Sequence, residues 1–214
     1  MNKKDELPSI IPIFPLSNFI IFPNTTVPLN IFEPRYIEMI DDSMKSHRMI
    51  GMIQPKKSGK LKKPDLYNVG CVGKITSFNE TDDGRYLIII NGVNRFNIEE
   101  EIETGKLYRS CKVSYQNYFK DLDNKLEQIE ISELDKIFND LKSLFEKKGF
   151  MVDWSNLKKQ DFSNTLNTLS MASPFSLEEK QILLETKDLS TRKLRLEEIL
   201  KTYTLDEFSN KTLQ

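Results

Sequence analysis

The sequence predicts an α+β protein, in which a β-rich N-terminal part is followed by an all-helical C-terminal part. Two distributions along the chain indicate this. Seven of the eight glycines and eight of the nine prolines precede residue 119, whereas 7 leucines precede that residue and 17 follow it. Gly and Pro favour turns between short strands, and Leu favours helix. We therefore expect two domains, residues 1–118 and residues 119–214.

The first domain is predicted to contain many short strands. Apolar runs alternate with turn residues, at Ile10–Leu16, Phe19–Phe22, Val27–Ile31, Met49–Ile53, Val69–Phe78, Tyr86–Ile90, Val93–Ile98 and Leu107–Tyr115. Asp82-Asp83-Gly84 and Asn91-Gly92 have tight-turn chemistry, and the second predicts a hairpin. Prolines inside the first runs favour edge strands over a flat central sheet. Short strands of this kind predict a small, partly closed barrel.

One helix is predicted to interrupt these strands, from Pro34 to about Lys45. Pro34 suits a first helical position, where its missing N–H costs nothing, and Glu33 suits the positive end of the helix dipole. An apolar stripe follows at roughly helical spacing: Tyr36, Ile37, Met39, Ile40 and Met44.

The second domain is predicted to be a small antiparallel helical bundle. Apolar residues recur at helical spacing from Asp121 to Lys148, which predicts one long helix that Gly149 terminates. Ser176 and Glu179 form a capping box that opens another helix. Two further helices are predicted from the stripes Phe162, Leu166, Leu169 and Leu196, Ile199, Leu200, Tyr203.

Composition and motifs exclude several classes of function. The 31 basic and 32 acidic residues give no basic excess for nucleic acid, and no apolar run reaches the roughly 18–20 residues of a membrane span. Cys71 and Cys111 are expected to be buried thiols, and a reducing cytoplasm is the expected location. The single histidine, His47, excludes mechanisms that need two imidazoles. No phosphate-binding loop or serine nucleophile elbow is present, so we predict no catalytic residue, no metal site and no cofactor.

Short segments in chain order form a specific pattern: Ile11–Leu16, Phe22-Pro23, Val27–Tyr36, Met49–Met52, Val69–Gly73, Asp83–Arg85, Gly92–Phe96, Leu169–Ser176 and Glu179–Glu185. The pattern resembles the N-terminal substrate-binding domain of Lon proteases, particularly the stand-alone proteins built around that domain. Asp188-Leu189 and Arg192 match its next turn. The resemblance covers about residues 9–205.

The resemblance implies a PUA-like pseudo-barrel with one inserted helix, followed by a helical bundle. A full Lon protease continues into an ATPase module and a Ser-Lys protease domain, and we expect neither activity in this chain. In the family, this region helps to recognise unfolded or tagged polypeptide. We therefore expect a non-catalytic module that binds extended polypeptide.

The candidate binding residues lie at the start of the inserted helix and on the predicted hairpin. They are Phe32, Glu33, Arg35, Tyr36, Glu38, Arg95 and Phe96. An extended peptide could add to an open strand edge there through main-chain hydrogen bonds. The alternative interpretation is that Phe32 and Tyr36 pack in the core and that Arg35 forms an intradomain ion pair.

Two other functions are open at this point. The first is RNA binding, because PUA-like barrels include RNA-contacting members and five lysines cluster between residues 55 and 64: Lys56, Lys57, Lys60, Lys62 and Lys63. This cluster lacks interleaved aromatic residues and arginines, so a solvated loop competes with that interpretation. The second is an adaptor that docks onto a separate ATP-dependent protease through an uncovered stripe of the Asp121–Lys148 helix.

Overall fold

A computed structural model describes residues 7–17, 19–56, 63–122 and 131–211, with the backbone alone at residue 131 and at residues 204–211. The chain divides into two compact units, Met1–Asn124 and Lys125–Gln214. The first unit is β-rich and the second is helical, as the sequence predicts. The division falls between Asn124 and Lys125 rather than near residue 118, for a reason given below.

Six strands of the first unit form one mixed sheet. They are β1 (Ile10–Pro15), β2 (Thr26–Ile31), β3 (Met49–Ile53), β4 (Val69–Glu80), β5 (Tyr86–Ile102) and β6 (Arg109–Ser114). The strand order is β2-β5-β4-β3-β1-β6, and β6 also pairs with β5. This second pairing closes β5, β4, β3, β1 and β6 into a five-stranded barrel, and β2 pairs with β5 outside that ring. The helix α1 (Pro34–Met44) lies between β2 and β3 in the chain, close to its predicted bounds.

Strand β5 is the longest strand, and it corrects the predicted hairpin at Asn91-Gly92. The chain continues as a strand through both residues, and Gly92 lies opposite Gly73 of β4. A Cβ at Gly92 would lie 2.1 Å from the carbonyl oxygen of Phe22. Glycine is therefore required here because two backbones approach closely, and not because the chain turns.

The predicted strand Phe19–Phe22 is wrong as well. The hydroxyl of Thr25 accepts a hydrogen bond from the backbone N–H of Phe22 and donates one to the carbonyl of the same residue. These bonds hold a turn, so the apolar side chains Ile20, Ile21 and Phe22 are buried without forming a strand.

The barrel interior is apolar, and the ring of Phe96 lies within it. Its neighbours in the core include Ile11, Ile13, Met49, Ile53, Val72, Cys111 and Val113. Cys71 and Cys111 are buried free thiols, and burial raises the pKa of Cys111 to about 11. This confirms the expectation for both cysteines and leaves Cys111 protonated at neutral pH.

A buried ion pair fixes the end of the first unit. Arg95 on β5 donates to both carboxylate oxygens of Asp121, at 2.8 and 2.7 Å, and its guanidinium lies 4.2 Å from the ring centroid of Tyr118. Tyr118 and Asp121 belong to a 3-10 segment, Gln116–Leu122. That segment packs on β5, which moves the end of the first unit beyond the predicted boundary at residue 118.

Barrel closure leaves few open strand edges among the described residues. Strand β2 pairs only with β5, and β4 pairs only with β5 beyond Lys74. The N–H of Gly92 donates to the carbonyl of Thr25, and ladder alternation then places the nitrogen of Pro28 on the outer edge of β2. Proline has no N–H to donate, so the middle of this free edge is a poor template for another strand.

The described part of the second unit contains five α-helices: α2 (Asp135–Lys147), α3 (Trp154–Leu157), α4 (Phe162–Ala172), α5 (Leu177–Glu185) and α6 (Leu189–Lys211). Ser176 and Glu179 form the predicted capping box, and the helix α6 packs against α2, α4 and α5. Buried Arg192 donates to the carbonyl of Leu183 and lies within hydrogen-bonding distance of Asn167, so its role is to join α4, α5 and α6. Within the described part of the chain, no helix is both long enough and apolar enough to cross a bilayer.

The predicted helix Asp121–Lys148 differs from the observed elements. The α-helix begins only at Asp135, after a 3-10 turn at Ile131–Leu134, and Gly149 ends it with a φ of +73° as expected. Asp121 instead belongs to the first unit, since its carboxylate binds Arg95. Residues 123–130 of the predicted helix lie outside the described residues.

Candidate functional site

The first unit has a cleft of about 710 Å³ beside the start of α1. Four stretches of chain surround it: the end of β1, the first turn of α1, residues near Pro55 and Pro64, and the connection from β5 to β6. The lining residues are Pro15, Ser17, Arg35, Tyr36, Pro55, Lys63, Pro64 and Glu101–Arg109. Its volume is in the roughly 300–1,000 Å³ range of ligand-binding clefts.

Two adjacent residues of α1 form one side of the cleft. The Tyr36 ring is 6% exposed and packs against Phe14, with 4.3 Å between ring centroids. The Arg35 guanidinium lies 4.5 Å from the centroid of the Tyr36 ring and forms an ion pair with Glu33 at 2.7 Å. Burial raises the pKa of Tyr36, so its hydroxyl keeps its proton at neutral pH. Among the described residues, that hydroxyl has no hydrogen-bond partner.

The connection from β5 to β6 forms the opposite side and is tethered to α1. Glu38 accepts a hydrogen bond from the backbone N–H of Leu107 at 3.2 Å. Asp42, one turn further along α1, accepts from Lys106 at 2.9 Å and from the hydroxyl of Tyr108 at 2.8 Å. Burial and the bond to Asp42 raise the pKa of Tyr108 to about 12. These contacts hold the exposed side chain of Leu107 at the cleft.

A second ion-pair cluster holds the base of the connection. Arg109 donates to both oxygens of Glu101, at 3.0 and 2.7 Å, and to the carbonyl of Pro64 at 2.8 Å. Lys63 also contacts Glu101, at 2.6 Å. The Arg109 hydrogen bonds, with the Lys63 contact, hold the pKa of Glu101 below its usual value. The bidentate geometry fixes the direction of β6 as it leaves the cleft.

Each cation in the cleft lining contacts a carboxylate. Arg35 pairs with Glu33, Lys63 and Arg109 share Glu101, and Lys106 contacts Glu38 and Asp42. Opposite charges at such distances cancel most of the field that a free anion would sense. The cleft therefore suits an uncharged polar ligand that also carries apolar groups.

The structure brings together only part of the predicted site. Arg35 and Tyr36 line the cleft, and Glu33 and Glu38 hold residues that line it. Phe32 is 64% exposed but is not among the described lining residues. In agreement with the alternative interpretation, Tyr36 packs in the core and Arg35 forms an intradomain ion pair. Phe32 differs from it, because its side chain is exposed.

Arg95 and Phe96 require a correction. The Arg95 residue is 1% exposed and Phe96 is fully buried. The guanidinium of Arg95 forms an ion pair with Asp121 and lies over the Tyr118 ring. Phe96 is enclosed by the barrel core. Neither side chain is accessible to a peptide, because both point into their own domain.

Only two residues of the predicted lysine cluster are described. The Nζ atom of Lys56 lies 6.0 Å from the centroid of the Tyr67 ring, and Lys63 is paired with Glu101. Lys57, Lys60 and Lys62 lie outside the described residues. In the part of the chain that the structure describes, no group of three or more His, Cys, Asp or Glu side chains is arranged to hold a metal.

The sequence analysis did not identify the residues of the β5–β6 connection, Glu103–Tyr108, as part of the site. Their relation to α1 depends on pairing between β5 and β6, which brings distant segments together. A local signal was present in Thr104-Gly105, since Gly105 has a φ of +66°. That signal predicts a turn but gives no indication of what the turn contacts.

Residues 10–202 match the family described as the ATP-dependent protease La (LON) substrate-binding domain. This chain belongs to that family. The match includes both compact units, so the barrel and the helices together correspond to the family's domain. It supports a substrate-recognition module.

Full Lon proteases are among the relatives. The Lon protease of Cytophaga hutchinsonii is 29% identical over 201 residues, which cover 88% of this chain and 24% of that protein. The Lon protease of Desulfosudis oleivorans is 28% identical over 204 residues, with 91% and 24% covered. The chain thus spans about a quarter of the length of these curated relatives.

Two solved structures share the fold. A Lon N-terminal domain protein from Xanthomonas campestris has a TM-score of 0.64 at 19% identity, and covers 91% of this chain and 98% of its own. The N-terminal domain of a Mycobacterium avium complex Lon protease has a TM-score of 0.62 at 17% identity, with 90% and 98% covered. These similarities confirm the predicted fold class, including the β-rich barrel and the helical C-terminal part.

Proposed function

We propose that this protein binds unfolded or extended polypeptide in the cleft beside α1, without cleaving it. The observation that carries the proposal is the combination of groups in the cleft: exposed Leu107, a Tyr36 hydroxyl without a hydrogen-bond partner among the described residues, and cations that carboxylates neutralise. The match to a substrate-binding domain supports the same conclusion.

Extended polypeptide has the chemistry that this cleft accommodates. Its amides donate and accept hydrogen bonds without net charge, and its apolar side chains can pack against Leu107 and the three lining prolines. A folded protein exposes fewer such segments. A phosphate-rich ligand such as RNA would need unpaired cations and stacking aromatic side chains, and the ion pairs of the lining argue against it.

The route differs from the one that the sequence suggests. Strand addition requires an open edge, but barrel closure and Pro28 leave little suitable edge among the described residues. The cleft instead offers side-chain groups from α1 and from the β5–β6 connection. Binding in the cleft rather than at a sheet edge is therefore the favoured mode.

An ATP-dependent protease as a partner stays a prediction. The apolar stripe of α2 proposed to carry such an interface is buried within the helical unit, at Ile137, Phe138, Leu141, Leu144 and Phe145. Docking through α2 would need residues outside this buried stripe.

The test compares a fluorescently labelled, permanently unfolded polypeptide with its folded counterpart by anisotropy. We expect the unfolded form to bind more tightly. The Leu107 side chain is 66% exposed, so a bound polypeptide can bury it. Leu107→Ser removes this apolar contact and should weaken the binding about tenfold. Tyr36→Phe should weaken it several-fold through one lost hydrogen bond.

The matched control is Leu194→Ser, since Leu194 is 57% exposed on α6 of the other unit. Its binding to the unfolded polypeptide should equal that of the unaltered chain. Equal effects of the two leucine substitutions, or equal binding of folded and unfolded polypeptide, would contradict the proposal. Turnover of the polypeptide by the purified chain would contradict its non-catalytic part.

A further inference from the structure

The connection between β5 and β6, Glu103–Tyr108, begins and ends at fixed points. The two strands are antiparallel neighbours, and the last pair before the connection places Ile102 opposite Ser110. Arg109 of β6 donates to both carboxylate oxygens of Glu101 on β5, at 3.0 and 2.7 Å. Because a bidentate pair fixes the orientation of both groups, it holds the two strand ends together.

The middle of the connection is held by two carboxylates of α1. Glu38 accepts a hydrogen bond from the N–H of Leu107, and its carboxylate lies 3.6 Å from Lys106. Asp42 accepts from Lys106 and from the hydroxyl of Tyr108. Among the described residues, no other hydrogen bond or ion pair joins Lys106, Leu107 or Tyr108 to another element. These four contacts form the tether between α1 and the connection.

The tether can open at little cost. The side chains of Lys106, Glu38 and Asp42 are 44%, 31% and 32% exposed, so water can replace their contacts. Exposed ion pairs of this kind contribute little free energy. Gly105, in the same connection, has a φ of +66°, and no described atom lies within 4 Å of the position that its Cβ would take. There is therefore room for the connection to move while its two ends stay in place.

Movement of the connection changes the cleft, because all six of its residues line it. The tether positions Leu107 directly, since the N–H of that residue is bonded to Glu38. Once the tether is open, this side of the cleft has no fixed position, and a ligand must order it on binding. Such ordering costs affinity. Neither Glu38 nor Asp42 is among the described lining residues, so both act on the cleft through the connection.

We propose that the connection is a lid, and that its tether to α1 holds it in the form that binds polypeptide. This inference rests on the proposed function, which supplies the ligand. With the tether closed, Leu107 is in position before the polypeptide arrives. With the tether open, the cleft loses one side and the polypeptide dissociates. Glu38 and Asp42 are thus positioning residues that control release of the ligand.

A spin label attached at Thr104→Cys reports the movement without any ligand. Thr104 is exposed, whereas Cys71 and Cys111 are buried and protected from the labelling reagent. With α1 unaltered, electron paramagnetic resonance should show a label of restricted motion. In the double variant Glu38→Ala, Asp42→Ala the label should move faster, because the tether is absent.

The matched control is Asp41→Ala, at the next position of the same helix. Asp41 accepts a hydrogen bond from the hydroxyl of Tyr86 on β5 at 3.0 Å, and so holds no part of the connection. The motion of the label should be the same in this variant as with α1 unaltered. A thermal denaturation midpoint well above the assay temperature confirms that each variant is folded.

Binding of the labelled, permanently unfolded polypeptide is measured separately, on chains that carry no spin label. The double variant should bind about fivefold more weakly, mainly through faster dissociation. Asp41→Ala should bind as the unaltered chain does. A purely structural role of Glu38 and Asp42 would lower the denaturation midpoint but would change neither the motion of the label nor the dissociation rate in the folded variant.

The two measurements separate failure of the lid from failure of the proposed function. A label that stays restricted in the double variant would overturn the lid, even where the polypeptide binds as proposed. A label that moves faster while the affinity is unchanged or increased would also overturn it, because the tethered form would then not be the binding form. An unaltered chain that fails to bind unfolded polypeptide would overturn the proposed function, and the control of affinity with it, whatever the label shows.

Discussion

Arg95 is held by groups that enclose its charge. Asp121 receives hydrogen bonds at 2.8 and 2.7 Å from the guanidinium, and the Tyr118 ring lies 4.2 Å from it. The side chains of Arg95 and Asp121 are 2% and 9% exposed. A charge buried to this degree depends on its partner, because water cannot replace the lost contact. Arg95, which the sequence predicts as a binding residue, therefore stabilises the barrel instead.

Asp121→Asn should lower the free energy of unfolding by about 3 kcal/mol, because it leaves the Arg95 charge buried without its carboxylate. Urea denaturation monitored by circular dichroism measures the change. Asp83→Asn is the control, since the Asp83 and Arg85 side chains are more than half exposed and their ion pair contributes little. Similar losses in the two variants would show that Arg95 is less dependent on Asp121 than its burial indicates.

At the scale of elements, local signals predicted most helices and failed where distant segments meet. The α5 helix follows from its capping box, and α1 follows from Pro34 and its apolar stripe. Asn91-Gly92 has hairpin chemistry, but Gly92 lies within a strand, where the neighbouring backbone of Phe22 leaves no room for a Cβ. Sequence spacing cannot report that contact.

The candidate site divides in the same way. Arg35 and Tyr36 were identified because they adjoin a helix start, which is a local feature. The connection Glu103–Tyr108 reaches α1 only through the pairing of β5 with β6. The place of this connection in the cleft could therefore be recognised only from the closed barrel, and not from the sequence.

Gly92→Ala tests the continuous strand. The added Cβ would lie 2.1 Å from the Phe22 oxygen, which is backbone and cannot rotate away. We expect the free energy of unfolding to fall by about 3 kcal/mol. Ser77→Ala on β4 serves as the comparison and should cost little, since this residue is exposed. A thermal denaturation midpoint unchanged by Gly92→Ala would mean that the two backbones lie further apart.

The tether between α1 and the connection predicts a pH dependence. The Lys106 and Tyr108 hydrogen bonds hold the pKa of Asp42 below its usual value. Such a carboxyl stabilises the folded protein above its unfolded pKa of about 3.9, and that stabilisation disappears as the pH falls through the lower folded pKa. Asp42→Asn should therefore reduce the free energy of unfolding at pH 7, by up to about 1 kcal/mol.

The same difference between Asp42→Asn and the unaltered chain should shrink towards zero below about pH 4. Urea titrations at a series of pH values follow it. A difference that stays constant from pH 7 to pH 3 would indicate that charge at Asp42 does not contribute.

At the scale of the whole molecule, the cleft belongs to one of the two compact units. Its lining residues fall between 15 and 109, within the first unit. The barrel also has its own apolar core, centred on Phe96 and its neighbours. The cleft is therefore built by the packing of its own unit.

A chain truncated after Asn124 should fold cooperatively and bind the unfolded polypeptide with unchanged affinity. It retains Asp121, so the ion pair with Arg95 is kept. Thermal denaturation and anisotropy measure the two properties. A truncated chain that folds but loses affinity for the unfolded polypeptide would show that the cleft depends on the helical unit.

Pro28 has a consequence for the proposed binding of unfolded polypeptide. Unfolded clients readily recruit exposed strands into growing aggregates, and the recruited protein is then lost along with them. A missing N–H midway along the outer margin of β2 interrupts such recruitment at its first step. Under the proposed function, contact with an unfolded polypeptide can then remain reversible.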